Sequence, residues 1–300
     1  MRGGVEAGGT KFVCLIGTDP DHVPAMTRIE VTDPQPTLAA AVRFFQDAVD
    51  DGIALEALGV GSFGPVELRR GDPAYGHITQ TPKPGWSNVD MITPFANALG
   101  VPVAFDTDVN AAALAEGRWG AGMGLHSFVY LTVGTGIGGG AVIDGRVLHG
   151  LGHPEMGHVA VPRRPEDRFP GVCPFHGDCL EGLASGPAIA ARFGRRAEEL
   201  DARERSAAVT IAAWYLAAGV STLVYSLAPQ RVVIGGGFGS MSGLVQAIRT
   251  ELLSRLGGYP GLTEHDDRAF IVSARLGDRA GPLGTLILAE QPASPATEGA

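Results

Sequence analysis

The chain has 300 residues, and its 23 Lys and Arg against 32 Asp and Glu leave a formal net charge of −9. This acidic balance argues against a protein that binds nucleic acid, because binding to phosphates requires a clustered excess of Lys and Arg. Hydrophobic residues make up 45% of the chain and charged residues 18%, which is typical of a folded globular protein.

Glycine is the unusual component of this composition. Its 44 residues are about twice the usual ~7% share, and they lie between well-patterned apolar segments. We therefore interpret them as tight turns and close backbone approaches rather than as low-complexity sequence.

The chain shows neither the pattern of a secretory signal nor a stretch of ~18 uninterrupted apolar residues. Its longest apolar segment, 211–228, is interrupted by polar residues and predicts a buried helix. We expect a cytoplasmic protein without a membrane partner. In that compartment, cysteines more often bind metal or pack in a core than form disulfides.

Strand-like and helix-like patterns alternate in the first part of the chain. Short apolar runs predict strands, and apolar spacings of three and four residues predict helices. In chain order, the pattern predicts strands at 11–16 and 22–31, a helix at 38–49, a strand at 55–61, a helix at 89–99, a strand at 101–105 and a helix at 108–119.

A similar succession begins at residue 127, which hints at a duplicated fold. The pattern predicts a strand at 128–133, a glycine run, strands at 141–143 and 147–148, a helix at 202–227, a strand at 231–234 and a helix at 238–256. Strands mixed with helices in both parts predict an α/β architecture whose sheets are covered by helices. The Pro- and Ala-rich tail, 291–300, is expected to be frayed.

Three glycine turns are candidates for anion binding. The first, Gly8-Gly9-Thr10-Lys11, offers backbone N–H groups, a hydroxyl and a charge, although an ordinary hairpin explains it as well. The second begins at Gly134 and matches the dinucleotide pattern G-x-G-x-x-G. A strand follows it where a helix is required, which disfavours NAD. The third, 235–237, lies between a strand and the helix predicted from Phe238, as a nucleotide-binding turn or a structural turn would.

A metal site is indicated between residues 153 and 181. Cys173-x2-His176-x2-Cys179 places three ligands in one short loop, and His158 upstream can complete the four tetrahedral ligands of Zn²⁺. Two unpaired cysteines that are close by chance are the alternative. Cys14 lies in an apolar strand and is interpreted as a core residue.

Carboxylates gather near this loop and after one predicted strand. Glu155 and Glu181 flank the loop and could bind sugar hydroxyls, although both could be surface acids. Asp106, Asp108 and Asn110 follow the strand at 101–105, where α/β proteins place ligands and where a general base could lie. The simpler interpretation is that one of them caps the following helix.

Together these segments resemble the ROK family of sugar kinases, most closely its bacterial zinc-containing fructokinases. They occur in family order, and they are GGVEAGGTKFVC, GSFGPV, TPKPGW, FDTDVNAAALAE, LTVGTGIGGG, GHPEMGH, CPFHGDCLEG and VIGGGFG. The resemblance implies an α/β, two-lobed actin/hexokinase-like (ribonuclease H-like) fold with a cleft between the lobes. Residues 1–119, joined by a C-terminal helix at 278–290, would form the first lobe. Residues 120–277, with the zinc loop at 153–182, would form the second.

The resemblance also implies roles for individual residues. Asp108 corresponds to the catalytic aspartate that takes the proton from the sugar hydroxyl. The expected sugar ligands are Glu155, His158, Glu181 and Asn110. The expected ATP ligands are Gly9, Thr10, Lys11, Gly134, Thr135, Gly136, Pro187, Gly235, Gly236 and Gly237. The expected zinc ligands are His158, Cys173, His176 and Cys179.

Two departures from the family pattern affect these assignments. Many relatives have an aspartate where Glu6 stands, so the part of this acid in binding Mg²⁺ stays open. Most relatives bind zinc through C-x-C-x4-C, whereas the C-x2-H-x2-C of this chain points to the fructokinase branch.

The resemblance implies an ATP-dependent phosphotransferase, with Mg²⁺ bound to ATP, structural Zn²⁺ and fructose as the favoured acceptor. We expect a homodimer. Glucokinase, mannokinase and N-acylhexosamine kinase activities are alternatives within the family, and a sugar-sensing protein without turnover is an alternative outside catalysis.

Overall fold

The computed structural model describes residues 1–291, which form two compact units, each built on a five-stranded sheet. The first unit contains Met1–Trp119, Leu148–His153 and the described residues from Arg279 onward, and the second contains Gly120–Val147 and Pro154–Asp278. Beyond residue 291, the tail that was expected to be frayed lies outside the described residues.

The first sheet has the strand order β3-β2-β1-β4-β5. Its strands and helices are β1 (Arg2–Ala7), β2 (Lys11–Gly17), β3 (Ala25–Glu30), α1 (Pro34–Asp50), β4 (Ala57–Ser62), α2 (Thr93–Leu99), β5 (Val103–Thr107) and α3 (Asp108–Trp119). Strands β1, β4 and β5 are parallel and end in register, with Ala7 opposite Ser62 and Ser62 opposite Thr107. Residues that follow these strands therefore emerge at one edge of the sheet.

The second sheet has the order β10-β9-β6-β7-β8. The elements of this unit are β6 (Phe128–Val133), β7 (Ile137–Ile143), β8 (Arg146–Val147), α4 (Leu180–Ala184), α5 (Gly186–Phe193), α6 (Ala202–Leu227), β9 (Val232–Gly235), α7 (Leu244–Leu256) and β10 (Ile271–Ser273). In each unit, the first three strands in chain order pair antiparallel, each with the next one. The fourth strand pairs parallel with the first, and the fifth pairs parallel with the fourth. The two sheets thus share one topology, which is the duplication that the sequence hinted at.

Helix α6 begins and ends where the pattern predicts. Asp201 and Glu204 form a reciprocal capping box at its N-terminus, with the Glu204 amide 2.8 Å from the Asp201 carboxylate. By length and composition alone this helix could cross a membrane, but 61% of its most apolar window is buried within the protein. This extent of burial is typical of a helix in the core of a protein.

Two glycine-rich segments differ from the prediction. Gly138 to Gly140 belong to β7 and pair with β6, so the glycine run is mostly strand. Its small residues are required because a Cβ on Gly139 would lie 2.6 Å from the sulfur of Met156. The helix expected from Phe238 begins only at Leu244, since Gly236 and Gly243 both have φ +85°, a left-handed conformation that interrupts a helix.

The last helix, α8 (Ala280–Leu288), is buried along its whole length and packs against α3, β1 and β4 of the first unit. Small residues allow this approach. A Cβ on Gly284 would lie 1.8 Å from the Ala111 carbonyl oxygen, and one on Gly59 would lie 1.9 Å from that of Thr285. The backbones of helix and sheet are therefore in direct contact.

We expect Gly284→Ala to destabilise the protein by about 1–3 kcal/mol, the usual cost of overpacking, because the methyl group would displace backbone atoms that cannot rotate away. Urea unfolding measures the change. Gly71→Ala is the matched control, because its Cβ would meet nothing within 4 Å. Equal stability of the two variants would contradict this description of the α3–α8 contact.

Candidate active site

Two aspartates stand at the carboxyl edge of the first sheet, and their surroundings differ. Asp106 is buried, and one of its carboxylate oxygens accepts hydrogen bonds of 2.7 Å from the Thr107 amide and from Asn110 Nδ2. Its other oxygen lies 2.9 Å from His149 Nε2, and this hydrogen bond raises the pKa of His149. Both oxygens of Asp106 are thus engaged.

Asp108, the first residue of α3, is free of such partners. Its Oδ1 accepts a hydrogen bond of 2.8 Å from the neighbouring Val109 amide, and no cation pairs with it in the part of the chain that the structure describes. Burial raises the pKa of Asp108 to about 7. A carboxylate with this pKa can hold or release a proton near neutral pH.

Neither aspartate caps α3. The Asn110 amide donates a 3.1 Å hydrogen bond to the Thr107 hydroxyl, so Thr107 takes the capping position. Asn110 itself is fully buried and donates to Asp106. The Asn110 side chain therefore supports Asp106 through Nδ2, whereas its buried Oδ1 has no hydrogen-bond partner among the described residues.

The first glycine turn joins β1 to β2 at the same sheet edge. It is closed by a 3.0 Å hydrogen bond from the Gly8 amide to the Lys11 carbonyl, and Gly9, Thr10 and Lys11 are exposed. Two strand spacings, about 10 Å, separate the ends of β1 and β5, which this turn and Asp108 follow.

In the second unit the other two glycine turns lie side by side. Strands β6 and β9 are parallel, with Thr132 opposite Gly235, so the turns 134–136 and 235–237 leave the sheet at one edge. A Cβ on Gly236 would lie 2.5 Å from the Val133 carbonyl, which shows how closely the turns approach. The exposed residues Thr135 and Gly237 stand at their tips.

Helix α5 adds its N-terminus to this cluster of turns. The Gly186 amide donates a 2.8 Å hydrogen bond to the Gly134 carbonyl, and Pro187 follows in the first turn of the helix. Helix N-termini and glycine-turn amides favour anions. The structure thus brings together all the second-unit residues that were expected to bind ATP.

The four predicted zinc ligands also come together. Their ligand atoms all lie within 4.8 Å of one another. His158 Nδ1 is 3.6 Å from the Cys173 sulfur and 3.5 Å from the Cys179 sulfur, and His176 Nδ1 is 3.7 Å from that of Cys173. Ligands 2.0–2.3 Å from a shared tetrahedral centre lie about 3.5 Å apart, so these separations fit Zn²⁺.

Two acids accompany this cluster. Glu181, in the first turn of α4, accepts a 2.9 Å hydrogen bond from the Ile137 amide, and its other oxygen lies 4.0 Å from His158 Nε2. Glu155 is exposed and precedes the short 3-10 helix that ends at His158. His158 therefore directs one ring nitrogen toward the cysteines and the other toward Glu181.

A partly buried ion pair holds the loop at 153–182 independently of the cysteines. Arg192 of α5 makes hydrogen bonds of 2.9 and 2.8 Å to the two oxygens of Asp167, and the hydroxyl of Tyr215 donates to the same carboxylate. The guanidinium also lies 4.1 Å from the ring of Phe169. The base of the loop is thus tied to α5 and α6.

Sequence reasoning did not find His149, because it lies 43 residues from Asp106 in a segment with no recognisable pattern. It also assigned no role to Lys83, whose Nζ lies 2.6 Å from the Gly9 carbonyl. Lys83 lies in the TPKPGW segment, and the match of this segment to the family was the sequence signal that could have identified it. The core interpretation of Cys14 is confirmed, since this thiol is fully buried and burial raises its pKa to about 12.

Comparison with known proteins decides the family. The ROK family model matches residues 2–292. The chain belongs to the ROK family. A fructokinase of Zymomonas mobilis is 45% identical over 291 residues, 96% of each chain. A putative fructokinase of Bacillus subtilis is 41% identical over 293 residues, which are 97% of this chain and 96% of that one.

Solved structures agree with this assignment. A ROK hexokinase from Thermus thermophilus has a TM-score of 0.77 and 31% identity, over 96% of this chain and 97% of that chain. A ROK family glucokinase from Streptomyces griseus, solved with glucose and AMPPNP, has a TM-score of 0.74 at 24% identity, over 97% of this chain and 99% of that chain. The α/β, two-lobed actin-like kinase fold that the resemblance implied is confirmed.

Replacing Asp108 by asparagine should stabilise the protein in a pH-dependent way. An aspartate in an unfolded chain ionises near pH 3.9, whereas Asp108 in the folded protein ionises at about pH 7. Ionisation of Asp108 therefore lowers the free energy of unfolding. This loss of stability is absent below pH 3.9, grows between pH 3.9 and pH 7, and is complete above pH 7. The Tm gain of Asp108→Asn should be small at pH 4 and largest at pH 8.

Thermal melting across this pH range measures the gain. Asp50→Asn, at the exposed end of α1, is the control for the loss of one carboxylate. A gain that is independent of pH would show that burial does not raise the pKa of Asp108.

Proposed function

We propose that this protein is an ATP-dependent hexose kinase that phosphorylates D-fructose to fructose 6-phosphate. The observation that carries the proposal is Asp108, an uncommitted carboxylate with a pKa of about 7, at the same sheet edge as a glycine turn. Fructose is favoured over other hexoses because relatives named fructokinase are 36–45% identical over most of the chain.

Phosphoryl transfer requires positioning and charge neutralisation more than covalent catalysis. Asp108 would accept the proton of the sugar hydroxyl as it attacks the terminal phosphate. His149 and Asn110 would hold Asp106, and through it the start of α3, in place. Asn110 supports Asp106 through Nδ2, while its Oδ1 has no hydrogen-bond partner among the described residues, so its contact with sugar stays part of this proposal.

The glycine turns would hold the nucleotide. Amides of the turns 134–136 and 235–237 and the N-terminus of α5 form a cradle suited to phosphate and ribose. Gly9, Thr10 and Lys11 would bind phosphate oxygens. Mg²⁺ bound with ATP would neutralise charge on the transferred group, and Glu6, one residue before the end of β1, offers the carboxylate oxygens that this ion prefers.

Zinc would be held by His158, Cys173, His176 and Cys179, whose separations suit a closed tetrahedral site. Closed sites of this kind organise a loop instead of performing chemistry. The metal would fix His158 through Nδ1 and leave Nε2 free for a hydroxyl group or Glu181. Glu155, His158 and Glu181 would then bind sugar hydroxyls together.

The proposal also includes a cytoplasmic location, where ATP is available. It includes a homodimer as the assembled form. Sedimentation of the purified protein tests the assembly. Glucokinase, mannokinase and N-acylhexosamine kinase activities, and a sugar sensor without turnover, are the competing functions. ADP release measured over a panel of hexoses separates them, and a sensor would release no ADP with any sugar.

We expect Asp108→Asn to lower kcat with fructose by roughly 10²–10⁴-fold, the usual contribution of a general base, with fructose binding largely retained. In the wild type, kcat/KM should fall below pH 7, because protonated Asp108 cannot accept the hydroxyl proton. Steady-state kinetics from pH 5 to pH 9 measure both effects.

Asp50→Asn should match the wild type in these assays. Near-normal turnover by Asp108→Asn would place the base elsewhere, and an acid limb centred near pH 4 would contradict a base with a pKa of about 7.

We expect about one zinc per chain by elemental analysis, since four ligands of this kind close one site. Cys179→Ser should raise the KM for fructose far more than the KM for ATP, because loss of metal releases His158 and the neighbouring acids together. The ion pair of Asp167 and Arg192 should keep the variant folded, which circular dichroism checks.

Cys14→Ser, outside the metal loop, is the matched control for loss of a thiol. Equal weakening of both substrates would indicate general damage. A metal-free wild type with full activity would refute the zinc site.

A further inference from the structure

The chain contains only two lysines, Lys11 and Lys83, whereas it contains 21 arginines. The structure brings the two lysines to one place. Lys11 is the last residue of the first glycine turn, and Lys83 Nζ donates a 2.6 Å hydrogen bond to the carbonyl oxygen of Gly9 in that turn. A chain that uses arginine almost everywhere therefore places both of its lysines at a single hairpin.

The segment that carries Lys83 is held firmly. Trp86, three residues later, is fully buried, packs its ring against Phe12 and Phe63, and donates a 3.1 Å hydrogen bond to the Thr32 carbonyl. Pro82 and Pro84 flank the lysine and fix φ on both sides of it. The ammonium group is thus positioned before any ligand arrives, which lowers the entropic cost of binding.

Within residues 1–291, no salt bridge to Lys11 or Lys83 is formed, although acids outnumber bases in the chain. The nearest acid in the strand register is Glu30, which stands opposite Lys11 across the β2–β3 pair. One of the three N–H donors of Lys83 is bound to Gly9, which leaves two for another acceptor. A Cβ on Gly9 would meet nothing within 4 Å, so the turn is open beside this group.

We propose that Lys83 is a second phosphate-binding residue, which together with Lys11 binds the terminal phosphoryl group of the nucleotide. This inference rests on the proposed kinase function. We assign the terminal phosphoryl group because it must approach the acceptor hydroxyl, which the proposed mechanism places at Asp108. The glycine turn follows β1 at the same sheet edge as Asp108, about two strand spacings away.

The preference for lysine at this position has a physical reason. An ammonium group is a compact charge with three donors that can turn toward different acceptors, so it can hold a carbonyl and phosphate oxygens together. A guanidinium is a planar fork and is larger, and it would have to leave the Gly9 carbonyl to face a phosphate.

The test is the affinity of the full-length protein for ATP, ADP and AMP, measured by calorimetry with Mg²⁺, in the wild type, Lys83→Met and Lys83→Arg. Loss of a charge-assisted hydrogen bond should weaken ATP binding on the order of 10- to 100-fold. We expect a smaller effect on ADP, none on AMP, and a lower kcat with fructose. Lys83→Arg should retain part of the ATP affinity.

Arg43→Met, on the exposed face of α1, removes the same charge and should leave all three affinities unchanged. If ATP, ADP and AMP weaken equally, Lys83 only tethers the turn and the proposal is wrong. Unchanged ATP binding in Lys83→Met also overturns it. A wild type that releases no ADP with any hexose would refute the kinase function itself, whereas an active wild type with a normal Lys83→Met variant refutes only this inference.

Discussion

The parallel strands of each sheet end in register, and this pairing determines where the reactive side chains lie. Ala7, Ser62 and Thr107 are neighbours across β1, β4 and β5, so the residues that follow them share one edge. The second sheet repeats the arrangement with Thr132 opposite Gly235. Register is strongly specified because both faces of these strands are buried, and a slip of one residue would exchange the faces. The residues predicted to bind ligands therefore lie at strand ends in both units.

The two aspartates at the carboxyl edge of the first sheet have different hydrogen-bond partners. Thr107 satisfies the amide at the start of α3, so no acid is needed as a cap. Asp106 is engaged by Asn110 and His149 on both oxygens, whereas Asp108 receives one local amide. Burial without a cation raises the pKa of Asp108 to about 7. This burial costs stability, and it occurs at the residue to which the proposed mechanism assigns a neutral-pH base.

Much of this arrangement could be predicted from local sequence, and the remainder depends on distant contacts. Helix α3 follows from its Ala-rich composition and α6 from its long apolar segment, and the cluster of His158, Cys173, His176 and Cys179 follows from the short spacing of three of these residues in one loop. The glycine run predicted as a turn is strand from Ile137 onward, because its role, to accommodate Met156, is set by a neighbouring segment. His149 and Lys83 act 43 and 74 residues from their partners, so no local pattern could identify their contacts.

The claim on which the account depends is that Asp108 exchanges its proton near neutral pH. Carbon-13 NMR of protein labelled at aspartate, with the resonance assigned by its loss in Asp108→Asn, measures that titration directly. The account predicts a midpoint near pH 7 for Asp108 in the protein without ligands. A midpoint near pH 4, the value of an exposed aspartate, would contradict it.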